Sequence, residues 1–213
     1  MKVRSLYYKP LRLWRKLNRK QRRTVGLAAA SACIVFLVTQ GLTPTMINPA
    51  AYTPLLNTIA KGESNGNYNA YFGNAGNTSI QFTSMTVAEV MHWQQAYVAA
   101  GNASNAVGRY QFMGTTLAGL VRQQHISPHT RFNEALQDRL AIALIERRGA
   151  VAYVEKKITR EQFAENLSKE WAALPRSTGA SPHASYYAGD GLNNSRVSVS
   201  ELFSALTSLE VGA

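Results

Sequence analysis

The sequence has little that could support thiol or metal chemistry. Its only cysteine, Cys33, lies in an apolar segment, so the rest of the chain has no thiol nucleophile and no internal disulfide. The four histidines show no spacing suited to one metal site. Ser127-Pro128 separates His125 from His129, which disfavours a shared helical face. These features exclude cysteine catalysis and a cysteine-based zinc site, and we expect neither a metal nor another cofactor.

Acidic residues are missing from the start of the chain. None occurs before Glu63, whereas residues 1–23 contain 10 of the 23 lysines and arginines. The remaining residues include 13 basic and 12 acidic ones, so the net charge of +11 belongs almost entirely to the N-terminal tail. A nearly neutral folded part does not predict a nucleic-acid-binding protein, because such proteins concentrate basic charge on the binding domain.

Charged residues of either sign are absent from residues 24–42. About 20 apolar residues suffice to span a membrane, and the basic flank predicts that residues 1–23 form a cytoplasmic tail. A cleavable signal peptide has the same layout, with Thr39 and Gly41 before a cut. We expect an uncleaved, single-pass anchor in the cytoplasmic (inner) membrane, a linker over residues 43–50, and a domain of residues 51–213 on the periplasmic or extracytoplasmic side.

Helical periodicity dominates the domain. Residues 64–83 are rich in Asn, Gly and Tyr, which indicates turns or a small β-hairpin. The predicted helices cover residues 53–63 after an N-cap at Thr53, 86–101 after a capping box, a segment capped by Thr115 or Thr116, residues 133–148, and two segments that begin at Thr159 and Ser198. The expected fold class is α+β, mostly α, without internal repeats.

Glu63 is placed where a general acid is useful. It ends the first predicted helix, and the partial negative charge of a helix C-terminus raises the pKa of a nearby carboxyl group. Taken alone, a glutamate at a helix end is more often a solvated surface charge. Tyr68, Tyr71 and Phe72 follow in the polar loop, where aromatic side chains have little core to join, so we expect them to line a cleft.

Four motifs in order make the sequence similar to a known family. Individually they are weak, but their order and spacing over residues 52–192 are specific. They are IAKGESNGNYNA (59–70), GRYQFM (108–113), WAALP (171–175) preceded by ERRGA (146–150), and YYAGDG (186–191). Together they resemble the lysozyme-like lytic transglycosylases and lambda-type phage endolysins. The resemblance implies a lysozyme-like fold and cleavage of peptidoglycan glycan strands.

Carried over residue by residue, the resemblance implies roles for several side chains. Glu63 matches the catalytic acid/base, and Tyr186, or Tyr187 one residue on, matches a tyrosine that hydrogen-bonds the catalytic carboxyl. Lambda-type endolysins place their glutamate before the glycine, where this chain has Lys61, whereas the broader transglycosylase pattern assigns Glu63. The residues expected to bind substrate are Gln111, Tyr110, Tyr186, Tyr187, Ser64 and Tyr68.

The number of carboxylates separates the functional alternatives. Ordinary glycosidases use two, but no second acid lies close to Glu63 in sequence, and Asp190 in a Gly-rich turn is a distant candidate with a turn role as its simpler interpretation. We therefore expect a lytic transglycosylase that cleaves the MurNAc-GlcNAc β-1,4 bond with one glutamate. The alternatives are a hydrolytic muramidase of the same fold and a non-catalytic, membrane-tethered glycan-binding module of a secretion, conjugation or phage complex.

Overall fold

The structure is a computed structural model that describes residues 45–212. The basic tail, Cys33 and the predicted membrane anchor at 24–42 lie outside the described residues. Across the described part of the chain, no helix is both long and apolar enough to cross a membrane.

Residues 45–212 contain seven α-helices and no β-strand longer than an isolated bridge. The helices are α1 (Thr53–Ser64), α2 (Val87–Ala99), α3 (Gly114–Gln123), α4 (Glu134–Arg147), α5 (Ala150–Val154), α6 (Arg160–Ser168) and α7 (Val199–Val211). Short 3₁₀ turns occur at Pro49–Tyr52 and Phe82–Ser84. The prediction of a mostly helical domain is confirmed, whereas β structure is reduced to bridges such as Tyr71 to Val107 and Val107 to Phe112.

Local sequence determines most helix starts. The capping boxes of α2, α6 and α7 form at Thr86, Thr159 and Ser198, and Asn133 caps α4 by accepting a hydrogen bond from the backbone N–H of Leu136.

Two predicted caps are wrong. Thr53 lies inside α1, because the turn Pro49–Tyr52 leads directly into that helix and leaves Tyr52 at the N-cap. Helix α3 begins earlier than expected, at Gly114, so Thr115 and Thr116 lie in its first turn and neither provides the cap.

Helix α1 carries Glu63 near its C-terminal end and therefore positions the candidate site. It packs against α7, α4 and the turn Pro49–Tyr52, and its Leu55, Ile59 and Ala60 are completely buried. Residues at the predicted linker also contact this region: Ile47 is buried, and the Asn48 N–H donates to the Gly212 carbonyl over 3.0 Å. These contacts determine the position of α1 and of the glutamate near its C-terminal end.

The loop after α1 is organised by asparagine side chains instead of the β-hairpin considered from the sequence. Buried Asn77 donates to the carbonyls of Asn69 (2.6 Å) and Ile80 (2.7 Å), and its amide oxygen accepts from the N–H groups of Ser79 and Ile80. Side-chain hydrogen bonds of this kind compete with strand pairing for backbone groups. They fix the loop as one wall of a cleft.

Candidate active site

Glu63 lies half-buried in the last turn of α1, with its carboxylate facing a cleft. Its Oε1 accepts a hydrogen bond from the backbone N–H of Ala173 over 3.0 Å. Burial raises the pKa of Glu63, and the Ala173 hydrogen bond and the positive charge of Arg196 partly oppose that increase. A carboxyl group with a raised pKa can remain protonated until it donates its proton, as a general acid must.

Gly62 allows the segment around Ala173 to approach Glu63. A Cβ atom at Gly62 would lie 2.8 Å from the Ala173 Cβ and 3.0 Å from a methyl group of Val197. Both distances are too short for carbon atoms in van der Waals contact. The glycine of the Lys-Gly-Glu-Ser sequence is therefore needed where α1 packs against Ala173 and Val197.

Gln111 belongs to a tight turn between Val107 and Phe112, whose backbones exchange two hydrogen bonds of 2.8 and 3.1 Å. Gly108 and Gln111 have positive φ angles of 80° and 48°. The side-chain amide of Gln111 donates to the Gly108 carbonyl over 2.9 Å. The Ser64 hydroxyl donates to the Arg109 carbonyl over 2.7 Å, which joins this turn to the end of α1. Buried Ser64 thus positions the turn instead of reaching into the cleft.

The cleft consists of two adjoining cavities of about 310 and 390 Å³ that share Glu63, Gln111 and Phe72. Asn74 and Arg196 belong to the first cavity, and Glu170 and Tyr187 belong to the second. Tyr71 and Phe72 line the cleft as expected, whereas Tyr68 lines neither cavity. Amide, guanidinium and aromatic groups around a carboxyl suit a polar ligand such as an oligosaccharide.

Tyr110 and Tyr68 lie in a hydrogen-bonded cluster behind the turn. The Tyr110 side chain is only 1% exposed, and its hydroxyl donates to Asp138 over 2.6 Å and accepts from Arg109 over 2.7 Å. The Tyr68 hydroxyl donates to the same carboxylate over 2.9 Å. Burial and the Asp138 hydrogen bond raise the pKa of Tyr68 to about 12. The Asp138 carboxylate on α4 thus holds the hydroxyl groups of both tyrosines, neither of which lines the two cavities, and substrate contact by either stays a prediction.

Tyr186 and Tyr187 form no hydrogen bond with the carboxyl group of Glu63. Tyr187 lines the second cavity, but its hydroxyl donates to the Lys169 carbonyl over 2.8 Å. Tyr186 lines neither cavity, and its ring lies next to the cations of Lys169 and Arg176. The hydrogen bond expected from one of them to Glu63 comes instead from the backbone of Ala173.

Arg196 was not anticipated as a site residue. Its side chain lines the first cavity and lies 3.4 Å from the Gly62 carbonyl, while its backbone N–H donates to the Ala173 carbonyl over 2.9 Å. Arg196 therefore holds the same residue that donates to Glu63. Arg196 ends a loop that is rich in Gly, Ser and Asn. Neither hydrophobic periodicity nor a sequence motif includes this position, so the sequence could not identify it.

Asp190, the second acid considered from the sequence, and Glu170, which lines the cleft, both have other partners. Asp190 lines neither cavity, and its carboxylate accepts from the backbone N–H groups of Leu192 and Asn193, which confirms its turn role. Glu170 lines the second cavity, but its side chain is 8% exposed and is paired with Arg147 and Arg148. Glu63 is therefore the one cleft acid of residues 45–212 without a direct cationic partner within 4 Å. The same stretch contains no cluster of three or more histidine, cysteine, aspartate or glutamate side chains that could hold a metal ion.

A half-buried glutamate with a raised pKa in a polar cleft is an arrangement that suits acid–base chemistry on a polar substrate. Comparison with protein families makes this specific: residues 53–189 match the family model described as Endolysin, so the chain belongs to the endolysin family and is a peptidoglycan-degrading enzyme. No curated protein and no solved structure gives a significant match.

Proposed function

We propose that this endolysin-family enzyme has a lysozyme-like fold and is a lytic transglycosylase that cleaves the MurNAc-GlcNAc β-1,4 bond with Glu63 as its single acid/base. The observation that supports this is the raised pKa of the Glu63 carboxyl group in the cleft. The other acid that lines the cleft, Glu170, is paired with two arginines. Gln111, at the junction of the two cavities, is the proposed sugar-contacting side chain.

The reaction requires Glu63 to act twice. As an acid it protonates the glycosidic oxygen, the bond to the anomeric carbon breaks, and the substrate's N-acetyl group stabilises the positive charge. As a carboxylate it then accepts the proton of the muramic acid C6 hydroxyl, whose oxygen bonds to the anomeric carbon. Glu63 is protonated again, no water is consumed, and the product has a 1,6-anhydromuramic end.

Hydrolysis by a muramidase is the second candidate, because Glu170 lines the cavity next to Glu63. That reaction needs another carboxylate on the opposite side of the bond, where it can activate water or attack the sugar. Two arginines hold Glu170 in place, with nitrogen atoms 2.8 and 3.0 Å from its Oε2, whereas Glu63 has no such partner, which favours the mechanism with one carboxyl group.

Release of soluble fragments from purified peptidoglycan tests the role of Glu63. Loss of acid–base catalysis typically reduces the rate by about 100- to 10,000-fold, so we expect that loss in Glu63→Gln. The matched control is Glu89→Gln, because Gln can replace Glu in the capping box that Glu89 forms with Thr86. Similar activity of Glu63→Gln and wild type would exclude the proposal, and glycan binding without cleavage by wild type would favour the non-catalytic module.

We also propose where the domain acts, on the extracytoplasmic side of the cytoplasmic membrane. A domain that cuts peptidoglycan must reach the extracytoplasmic side, and the apolar segment 24–42 with its basic flank is the proposed single-pass anchor in the cytoplasmic membrane. Protease treatment of spheroplasts that contain the full chain tests this: digestion of residues 51–213 with protection of the tail is expected. Protection of the whole chain would contradict it. Association with a secretion, conjugation or phage complex is a further proposal that co-purification would test.

A further inference from the structure

Four cations cluster next to the part of the cleft that is lined by Glu170 and Tyr187. We call this surface the basic rim, and it consists of the cations Arg147, Arg148, Lys169 and Arg176 together with Tyr186 and Tyr187. The Arg148 guanidinium and the Tyr187 hydroxyl both donate to the Lys169 carbonyl, over 3.2 and 2.8 Å. The Lys169 ammonium lies 5.7 Å from the centre of the Tyr186 ring, and the Arg176 guanidinium lies 5.4 Å from it.

The basic rim keeps a net positive charge, because it has four cations and only two carboxylates pair with them, Glu170 and Glu165, which leaves 4 − 2 = +2. Glu170 and Glu165 are only 8% and 13% exposed, whereas the side chains of their partners Arg147 and Arg176 are 48% and 39% exposed. The guanidinium groups are therefore more accessible to a ligand than the carboxylates they pair with. Among residues 45–212, Lys169 adds an ammonium group that forms no salt bridge.

The basic rim is continuous with the cleft. Tyr187 and Glu170 line the second cavity, which also contains Glu63. A glycan strand bound through the cleft would extend past Glu63 towards this end. Its muramic acid residues carry peptide stems, and those stems end in carboxylates that can reach beyond the sugar chain.

We propose that the basic rim binds the stem-peptide carboxylates of the peptidoglycan strand, with Lys169 as the main contact. This inference rests on the proposed function, since it requires a glycan strand in the cleft. Tyr186 places an aromatic face against two cations, and cation–π contacts of this kind hold flexible side chains in position. The basic rim would then contribute to substrate affinity without taking part in bond cleavage.

Steady-state cleavage of soluble, uncross-linked glycan strands tests the inference. The full-length wild type is compared with Lys169→Gln and with Lys157→Gln, a control that removes the same charge from an exposed position outside the cleft. Exposed ion pairs contribute modestly, so we expect KM to rise about 2- to 5-fold in Lys169→Gln with kcat unchanged, and no change in Lys157→Gln.

The same strands with their stem carboxylates converted to amides form the second arm. Wild type should then have the higher KM of Lys169→Gln, and the two enzymes should become equal. Equal KM values for wild type and Lys169→Gln on native strands, or a Lys169→Gln effect that persists on amidated strands, would overturn the inference. Failure of wild type to cleave either substrate would instead contradict the proposed function.

Discussion

Two glycine-to-alanine substitutions test the close approach of α1 to the Ala173 segment. In a helix interior, alanine is favoured over glycine by about 1 kcal/mol, so both Gly62→Ala in α1 and Gly119→Ala in α3 would stabilise the fold if space allowed. At Gly119 a new Cβ meets no atom within 4 Å, whereas at Gly62 it lies 2.8 Å from the Ala173 Cβ. The two variants should therefore have opposite effects on stability.

The magnitude follows from how firmly Ala173 is held. Its N–H donates to Glu63 and its carbonyl accepts from the Arg196 N–H, so the segment cannot easily move away. Overpacking costs about 1–3 kcal/mol, and the upper value less the helix gain leaves a net loss of about 2 kcal/mol. For a domain of this size, that loss lowers Tm by about 4–8 °C, and Gly119→Ala should raise it by about 2–4 °C.

Thermal unfolding followed by circular dichroism at equal protein concentration measures both changes. Because a shifted Ala173 weakens its hydrogen bond to Glu63, Gly62→Ala should also lose peptidoglycan cleavage, which Gly119→Ala should keep. An equal increase in Tm for the two variants would refute the close approach and the reason given for the glycine before Glu63.

Three further predictions concern the cleft and its support. The pKa of Glu63 is raised in the folded state, so the protonated side chain contributes its full stability below the unfolded-state pKa. That stability is lost as pH rises through the folded-state pKa, because the buried carboxyl group must then ionise. Tm of Glu63→Gln should therefore equal that of wild type in acid and exceed it increasingly towards neutral pH. Arg196→Gln removes a charge that lowers the pKa of Glu63, so the alkaline limb of the pH–activity profile should move to higher pH, and an unchanged profile would exclude that influence. Tyr110→Phe should lower the free energy of unfolding by about 1.5–3 kcal/mol, because hydrogen bonds to Asp138 and Arg109 are lost, while KM for glycan strands stays constant.

Features that depend on neighbouring residues were predictable from the sequence. The capping residues Thr86, Asn133, Thr159 and Ser198 each accept from the backbone N–H three positions later, so a short sequence pattern contains the whole interaction. Glu63 and Gln111, which the motifs singled out, both line the cleft, and their roles stay predictions.

Contacts between distant segments were not predictable in the same way. The donor to Glu63 is a backbone N–H 110 positions later in the chain, and a backbone group has no signature in the sequence. Substrate contact was expected of Tyr68, which lies in the polar loop after Glu63, and of Tyr110, which lies in the GRYQFM motif. The structure instead turns their hydroxyl groups to Asp138 on α4, a partner that only the tertiary fold brings close.

The most direct test of the central claim is the chemistry of the new muramic acid ends. The full-length enzyme is incubated with purified peptidoglycan in water enriched in oxygen-18, and the fragments are analysed by mass spectrometry, with Glu63→Gln in parallel. Anhydromuramic ends without the heavy isotope, present with wild type and missing with Glu63→Gln, are the predicted result. Reducing ends that contain oxygen-18 would contradict the account, because they would require an activated water and a second catalytic carboxylate.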